Sequence, residues 1–184
     1  MKDRIRDCLT ALNPRKLKNG FTREAAVLMP VFEWEHEYHF LLTRRTEEVQ
    51  THKGQISFPG GMREGGEDLT QTALRETFEE VGIEAGRIEI LGRFHDYVSI
   101  NSYRVTPFAG FINGPFITVP QVHEVAEILQ VPFRIFLDPE RLRVEKSTRY
   151  QETEVYFYTY GTHQIWGLTA RIIKDFMETL CVSL

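Results

Sequence analysis

Three glutamates share one face of a short predicted helix. Glu76, Glu79 and Glu80 lie in a segment that predicts a helix from about Glu67 to Val81. At about 100° of rotation per helical residue, their side chains fall within about 100° of one another. Like charges at such spacings repel each other and destabilise an isolated helix. The cluster therefore indicates either a bound cation or a carboxyl group with a shifted pKa, and hard cations such as Mg²⁺ prefer oxygen ligands of this kind.

The rest of the predicted helix is apolar enough to pack on both sides. Leu69 and Ala73 accompany the acids, while Leu74, Phe78 and Val81 lie on the opposite side. We therefore expect both faces of the helix to contact protein. The alternative interpretation is a solvated acidic face, which is the usual explanation of a run of charges.

Both ends of this helix carry recognisable signals. Glycines precede it, so the backbone before the helix can approach a bound ligand closely. Glu67 and Asp68 favour the positive N-terminal end, and Gly82 can adopt the left-handed conformation that stops a helix. Arg75 lies about two turns from Glu67, and an ion pair between them would fix the preceding loop against the helix.

The segment from Gly61 to Ile83 resembles the signature of the Nudix hydrolases. The matching residues are Gly61, Glu67, Arg75, Glu76, Glu79, Glu80, Gly82 and Ile83. Thr77 departs from the signature, because the family usually has an aliphatic residue there, and this difference affects packing more than chemistry. The resemblance implies an α/β fold, namely the Nudix-type α/β/α sandwich with a mixed β-sheet.

The resemblance also implies roles for the matched residues. The cofactor would be Mg²⁺ or Mn²⁺, and its ligands would be Glu76, Glu79, Glu80 and the carbonyl group of Gly61. The residues with a structural role in the motif would be Glu67, Arg75 and Gly82. Glu79 is our first choice for deprotonating or orienting the attacking water, with Glu80 and Glu124 as alternatives.

Glu124 lies outside the signature. Nudix enzymes sometimes draw a catalytic glutamate from a separate loop, and the segment from Gln121 to Glu127 would start at such a loop. The other interpretation is that Glu124 simply begins a helix.

A second block, from Leu41 to Gly61, resembles the extra motif of the coenzyme A pyrophosphatase branch of Nudix enzymes. The matching residues are Leu41, Leu42, Thr43, Arg45, Gly54, Phe58, Pro59, Gly60 and Gly61. Thr46 stands where the branch has serine or alanine, and Gln50 stands where it has arginine. The candidates for substrate binding are Arg44, Arg45, Lys53, Gly54 and Phe58. Arg45 is preferred for gripping a phosphate, because it is the only one of the three cations that matches the branch motif.

This second resemblance implies a substrate. Coenzyme A, or one of its derivatives, would be cleaved at its diphosphate to 4′-phosphopantetheine and adenosine 3′,5′-bisphosphate. Gln50 keeps open a Nudix hydrolase of another substrate, such as ADP-ribose, a dinucleoside polyphosphate or a nucleoside triphosphate. A Nudix-like ligand sensor without catalysis is a third interpretation, which the intact signature glutamates disfavour.

A third segment, from Ile165 to Ala170, is also similar to this branch, which tends to carry Trp-Gly-Leu-Thr-Ala at the start of its last helix. Without the resemblance, an apolar helix from Leu168 to Leu180 follows Trp166 directly. We therefore expect Trp166 to anchor the core rather than to serve as a stacking platform for a base.

Length and composition agree with a small enzyme. With 184 residues, of which 42% are hydrophobic, the chain predicts a single domain over 1–184 with an N-terminal helical extension at 1–20. The net charge of −4 disfavours a nucleic-acid partner. The absence of a long apolar stretch or a signal-peptide pattern predicts a cytoplasmic protein without a membrane partner. The sequence does not indicate an oligomeric state.

The remaining pattern predicts interleaved helices and strands. The predicted elements are a helix near Asp3–Leu12, a hairpin of Ala25–Phe32 with Tyr38–Thr43, strands near Ile88–Tyr97 and Tyr103–Ile112, a helix or turn after Pro132, a hairpin across Leu142–Thr159, and the final helix. They do not form a regular βαβ repeat, so a mixed sheet between helices fits better than a doubly wound parallel sheet.

Overall fold

The computed structural model describes residues 1–47, 53–147 and 153–182. Gln50 lies outside these ranges. The helices are α1 (Lys2–Ala11), α2 (Leu69–Val81), α3 (Phe133–Leu137) and α4 (Gly167–Val182). The strands are β1 (Arg23–Trp34), β2 (Glu37–Arg45), β3 (Ile56–Ser57), β4 (Gly60–Met62), β5 (Ile88–Arg93), β6 (Tyr97–Val98), β7 (Tyr103–Ile112), β8 (Val125–Pro132), β9 (Leu142–Ser147), β10 (Thr153–Tyr160) and β11 (His163–Trp166).

Within the described residues, the strands form one large sheet and one small sheet. The large sheet has the order β3-β2-β1-β7-β5, with β8 beside β2, β4 beside β1 and β6 beside β7. β1 and β7 run parallel, and the other neighbours are antiparallel. The small sheet has the order β11-β10-β9 and is antiparallel throughout. The predicted mixed sheet is therefore confirmed.

Helices cover both faces of the large sheet. α2 packs on the face that carries Leu28 and Leu41, while α1, α3 and α4 pack on the face that carries Phe40 and Leu42. Because side chains alternate along a strand, β2 presents successive residues to opposite layers. This alternation confirms the α/β/α sandwich and decides which residues of β2 can meet α2.

Local interactions define both ends of α2. The Asp68 carboxylate accepts hydrogen bonds from the N–H groups of Thr70 and Gln71, at 2.8 and 2.9 Å. The Gln71 side chain accepts in return from the N–H of Asp68, at 2.8 Å, which completes a capping box. At the other end Gly82 has φ +74°, the left-handed conformation predicted for it.

Several sequence predictions differ from the structure. Strands β8 and β11 were not predicted, and Ile88–Tyr97 divides into β5 and β6. The expectation that both faces of α2 contact protein holds for Leu74 and Val81, which pack in the core, but not for Phe78, which is 54% exposed. The helix at the N-terminus ends at Ala11 and packs Ile5 and Leu9 into the core, and residues 12–20 do not continue it. Among the described residues, no helix combines the length and the apolar character needed to cross a membrane.

Candidate active site

The turn before α2 brings the backbone of Gly61 against the first acid of the cluster. A Cβ atom added at Gly61 would lie 2.4 Å from the carboxyl carbon of Glu76, so a larger residue here would displace that carboxylate. β4 holds the turn in place, because it pairs with β1 from Ala25 to Val27. Gly61 and the Glu76 carboxylate are therefore neighbours, in agreement with their predicted roles in one motif.

Arg75 links the glycine-rich turn to the helix. Its Nε donates to Glu67 at 2.6 Å, and its Nη2 donates to the carbonyl oxygen of Met62 at 3.1 Å. The hydrogen bond from Arg75 lowers the pKa of the Glu67 carboxyl group to about 2. The Nη1 atom also lies 3.0 Å from Glu76 and 2.9 Å from Glu79. The predicted ion pair is confirmed, and the same guanidinium also contacts two of the predicted metal ligands.

Glu80 is the most deeply buried acid of the cluster, with 4% of the residue exposed. Its burial raises its pKa to about 8, against the attraction of Arg45 and with further increases from the charges of Glu76 and Glu124. Burial likewise raises the pKa of Glu76, although Arg75 opposes this shift. The site therefore collects more negative charge than its protein surroundings balance.

Residues 119–124 wrap around the C-terminal end of α2. The N–H groups of Val119 and Gln121 donate to the carbonyl oxygens of Val81 and Glu80, at 2.9 and 3.0 Å. These bonds satisfy carbonyl groups that the end of a helix leaves without partners. The segment then turns into β8, so the alternative that Glu124 begins a helix is wrong.

This wrapping places Glu124 beside the acidic cluster. Its carbonyl oxygen accepts from the N–H of Thr46 at 2.9 Å, and the Thr46 hydroxyl donates to the carbonyl oxygen of His123 at 2.9 Å. The negative charge of Glu124 raises the pKa of both Glu76 and Glu80. The structure thus brings Glu124 into electrostatic reach of the helix glutamates, which leaves it a candidate for a catalytic role.

Alternation along β2 separates the two neighbouring arginines. Arg45 lies on the α2 side, where its charge acts on Glu80. Its buried Nε has no hydrogen-bond partner among the described residues. Arg44 instead pairs across the strands with Glu127, at 3.0 Å. Of these two arginines of β2, Arg45 is the one that lies near the acidic cluster.

Sequence reasoning gave no role to Thr43. This residue is 1% exposed, and its hydroxyl donates to the Glu80 carboxylate at 3.4 Å. Thr43 and Arg45 belong to the same sequence motif and lie two residues apart on one strand. This spacing could have indicated that both side chains face the acidic cluster.

The other predicted substrate residues lie in different environments. Lys53 is exposed at a turn, next to Gly54 with φ +65°. This left-handed backbone conformation favours glycine at position 54. Phe58 is 2% exposed and packs edge-on against Phe40, with ring centroids 5.3 Å apart. The geometry therefore gives Phe58 a packing role in the core rather than a surface for substrate.

Trp166 does not anchor the core, which corrects the sequence prediction. It is 43% exposed and stacks on Phe157, with ring centroids 6.1 Å apart and ring planes 11° apart. The preceding residue, Ile165, is fully buried and takes the core position instead.

The donor set suits a hard divalent cation. Within the described ranges, no three His, Cys, Asp or Glu side chains stand where they could hold a metal ion together, since Arg75 draws Glu76 and Glu79 toward itself. The donors are nevertheless carboxylate oxygens beside a backbone carbonyl, which are the ligands that Mg²⁺ and Mn²⁺ prefer. Burial is the main cause of the raised pKa of Glu80, and a cation bound beside it would favour the charged carboxylate.

Comparison with known proteins decides the family. The NUDIX domain matches residues 22–146 of the chain. The uncharacterized Nudix hydrolase NudL of Photorhabdus laumondii is 36% identical over 171 residues, which cover 92% of this chain and 90% of that protein. The chain belongs to the Nudix family. As a Nudix hydrolase it acts on nucleoside diphosphate derivatives, and members of this family generally use divalent metals such as Mg²⁺ or Mn²⁺.

Solved structures show the same Nudix fold. A MutT/nudix family protein from Enterococcus faecalis gives a TM-score of 0.59 at 15% identity, covering 91% of this chain and 66% of that one. An Ap4A hydrolase from C. elegans gives a TM-score of 0.53 at 22% identity, covering 61% of this chain and 82% of that one. At these identities the likeness concerns the fold alone.

We predict that Glu80 makes the metal-free Nudix protein less stable as the pH rises. The pKa of Glu80 is about 8 in the folded chain against an ordinary 4.5, so the folded state binds more protons between these values. The stabilisation is therefore complete below about pH 4.5 and lost as the pH rises through about 8. Each pKa unit corresponds to about 1.4 kcal/mol, so the total effect is several kcal/mol.

Urea denaturation in chelator at a series of pH values would measure this effect. Glu80→Gln should remove most of the fall in the free energy of unfolding between pH 5 and 9, since the amide does not titrate. Glu140→Gln, at an exposed position away from the cluster, should retain the wild-type slope. Equal slopes in Glu80→Gln and the wild type would contradict the assignment.

Proposed function

We propose that the protein is a metal-dependent coenzyme A diphosphatase, which cleaves coenzyme A or its derivatives to 4′-phosphopantetheine and adenosine 3′,5′-bisphosphate. One observation carries the proposal. The arginine of the second sequence block, Arg45, lies on the α2 face of β2, where its charge acts on Glu80 of the Nudix signature. The residues that resemble the coenzyme A branch and those that resemble the hydrolase signature thus meet in one place.

The chain's own residues divide the work. Glu76, Glu79 and Glu80, with the carbonyl group of Gly61, would hold Mg²⁺ or Mn²⁺, which supplies positive charge to the diphosphate and lowers the pKa of bound water. Arg45 offers a cation to a phosphate oxygen on the same side of the sheet. Arg75 keeps the glycine-rich turn against the helix, so the Gly61 carbonyl and the carboxylates keep their relative positions.

A general base must accept a proton from the attacking water. Glu79 is our first choice, because its side chain is 54% exposed and is free to reorient away from Arg75. Glu80 and Glu124 are the alternatives. Glu80 has a pKa of about 8 in the metal-free chain, so at neutral pH it is mostly protonated until a cation favours its charged form, and its burial limits the access of water.

A different diphosphate substrate is the second candidate. Gln50 stands where the coenzyme A branch has arginine, which keeps open a hydrolase of ADP-ribose, a dinucleoside polyphosphate or a nucleoside triphosphate. A non-catalytic sensor is the third candidate, and the complete set of signature glutamates disfavours it.

A substrate panel tests the proposal. We expect Mg²⁺- or Mn²⁺-dependent release of 4′-phosphopantetheine from coenzyme A at a higher rate than cleavage of ADP-ribose, NADH or diadenosine polyphosphates. Mass spectrometry of the products, with chelator as the control, measures this. Faster cleavage of another diphosphate would overturn the substrate assignment, and ligand binding without turnover of any compound would favour the sensor.

The two neighbouring arginines give a matched pair of variants. Arg45→Ala should raise the KM for the preferred diphosphate by about 10-fold to 150-fold, since a lost charge-assisted hydrogen bond costs about 1.5 to 3 kcal/mol. Arg44→Ala removes a partly exposed ion pair with Glu127 and should change KM by less than about 2-fold, at a cost of about 1 kcal/mol or less in stability. Steady-state kinetics would contradict this account if both variants raised KM equally.

A further inference from the structure

A row of three flat side chains crosses the small sheet. Phe157 of β10 pairs directly with Trp166 of β11 on one side and with Arg143 of β9 on the other. The Arg143 guanidinium lies over the Phe157 ring, 4.3 Å from its centroid, and Trp166 stacks on the same residue from β11. Arg143 also pairs with Glu145. Directly paired residues share one face of a sheet, so the three groups form a continuous stack.

This stack faces away from the core. The neighbours of these residues along the strands, Tyr156, Tyr158 and Ile165, are buried on the opposite face. Phe157 has a partner on each side, whereas Trp166 lies at the end of the row on β11, the last strand of this sheet. The indole thus has one ring face committed to Phe157, and 43% of the residue is exposed.

The end of β11 that carries Trp166 adjoins the edge of the large sheet next to Arg45. β11 contacts β3 of the large sheet. A Cβ atom added at Gly167, the residue after Trp166, would lie 3.8 Å from the side-chain amide of Gln55. The carbonyl oxygen of Gln55 in turn accepts from the N–H of Arg45 at 3.0 Å. Gly167, the chain neighbour of Trp166, therefore lies beside the side chain of Gln55, whose backbone is hydrogen-bonded to that of Arg45.

We propose that Trp166, at the end of this row, stacks on the adenine base of the diphosphate substrate. Aromatic side chains bind bases through their ring faces, and a side-chain amide such as that of Gln55 is the group that pairs with the edge of adenine. Gln164 lies on the same face of β11 as Trp166, and Arg143 closes the far end of the row beyond Phe157, so polar groups flank the stack, which suits a base better than an aliphatic chain. The assignment rests on the proposed function, and it applies to any adenine-containing diphosphate.

Tryptophan fluorescence gives a direct test, because the chain has two tryptophans. Trp34→Phe leaves Trp166 as the reporter, and Trp166→Phe leaves Trp34 as the matched control; Trp34 lies 60% exposed at the end of β1. Both proteins are titrated in chelator, so no turnover occurs, with ADP, adenosine 3′,5′-bisphosphate, 4′-phosphopantetheine and pyrophosphate. We expect saturable quenching by the two adenine nucleotides in Trp34→Phe and none in Trp166→Phe.

Kinetics on the same preparations separate this subsite from the hydrolase itself. Trp166→Ala should raise KM for the substrate by about 5-fold to 100-fold with kcat within about 2-fold, the range expected for loss of one base stack. If Trp34→Phe cleaves substrate normally but adenine nucleotides do not quench it, the subsite is wrong and the hydrolase stands. Quenching by 4′-phosphopantetheine alone would also overturn the adenine assignment. Quenching by adenine nucleotides without hydrolysis of any diphosphate would uphold the subsite and overturn the proposed function.

Discussion

The guanidinium of Arg75 is the interaction on which the site depends. It joins the carbonyl of Met62 and the carboxylate of Glu67, on the turn, to Glu76 and Glu79 on the helix. This link adds to the pairing of β4 with β1 in holding the glycine-rich turn against α2. Because the turn carries Gly61, the same arginine also fixes the distance between a backbone carbonyl and the first acid of the cluster.

The site brings several negative charges together, and other interactions of α2 offset their repulsion. The N-terminal end of α2 is satisfied by a capping box, and its C-terminal carbonyl groups are satisfied by the N–H groups of Val119 and Gln121. The segment that does this also carries Glu124 to the cluster. Burial and neighbouring acids then leave Glu80 with a pKa of about 8, opposed mainly by Arg45. A divalent cation would relieve the repulsion among these carboxylates. The relief would add to the free energy of metal binding.

The parts of this account that the sequence could predict depend on residues close together in the chain. The acidic face follows from helical spacing, and the stop at Gly82 follows from the left-handed conformation that glycine adopts. The pairing of Arg75 with Glu67 follows from their opposite charges and short separation in the chain. The sequence alone did not show which of Arg44 and Arg45 faces α2, because this depends on which helices pack on each face of β2. β8 was not predicted because its buried residues do not alternate regularly. The exposure of Trp166 was not predicted because it depends on the pairing of β11 with β10, which places Trp166 beside Phe157. Contacts between distant segments decide these features, and one sequence does not reveal them.

Location of Mn²⁺ by anomalous X-ray diffraction from crystals grown with the ion tests the central claim most directly. The account predicts an anomalous peak bound by at least two of the carboxylates of Glu76, Glu79 and Glu80, beside the carbonyl oxygen of Gly61. A fully occupied Mn²⁺ peak elsewhere, with these carboxylates still held by Arg75 alone, would contradict the account.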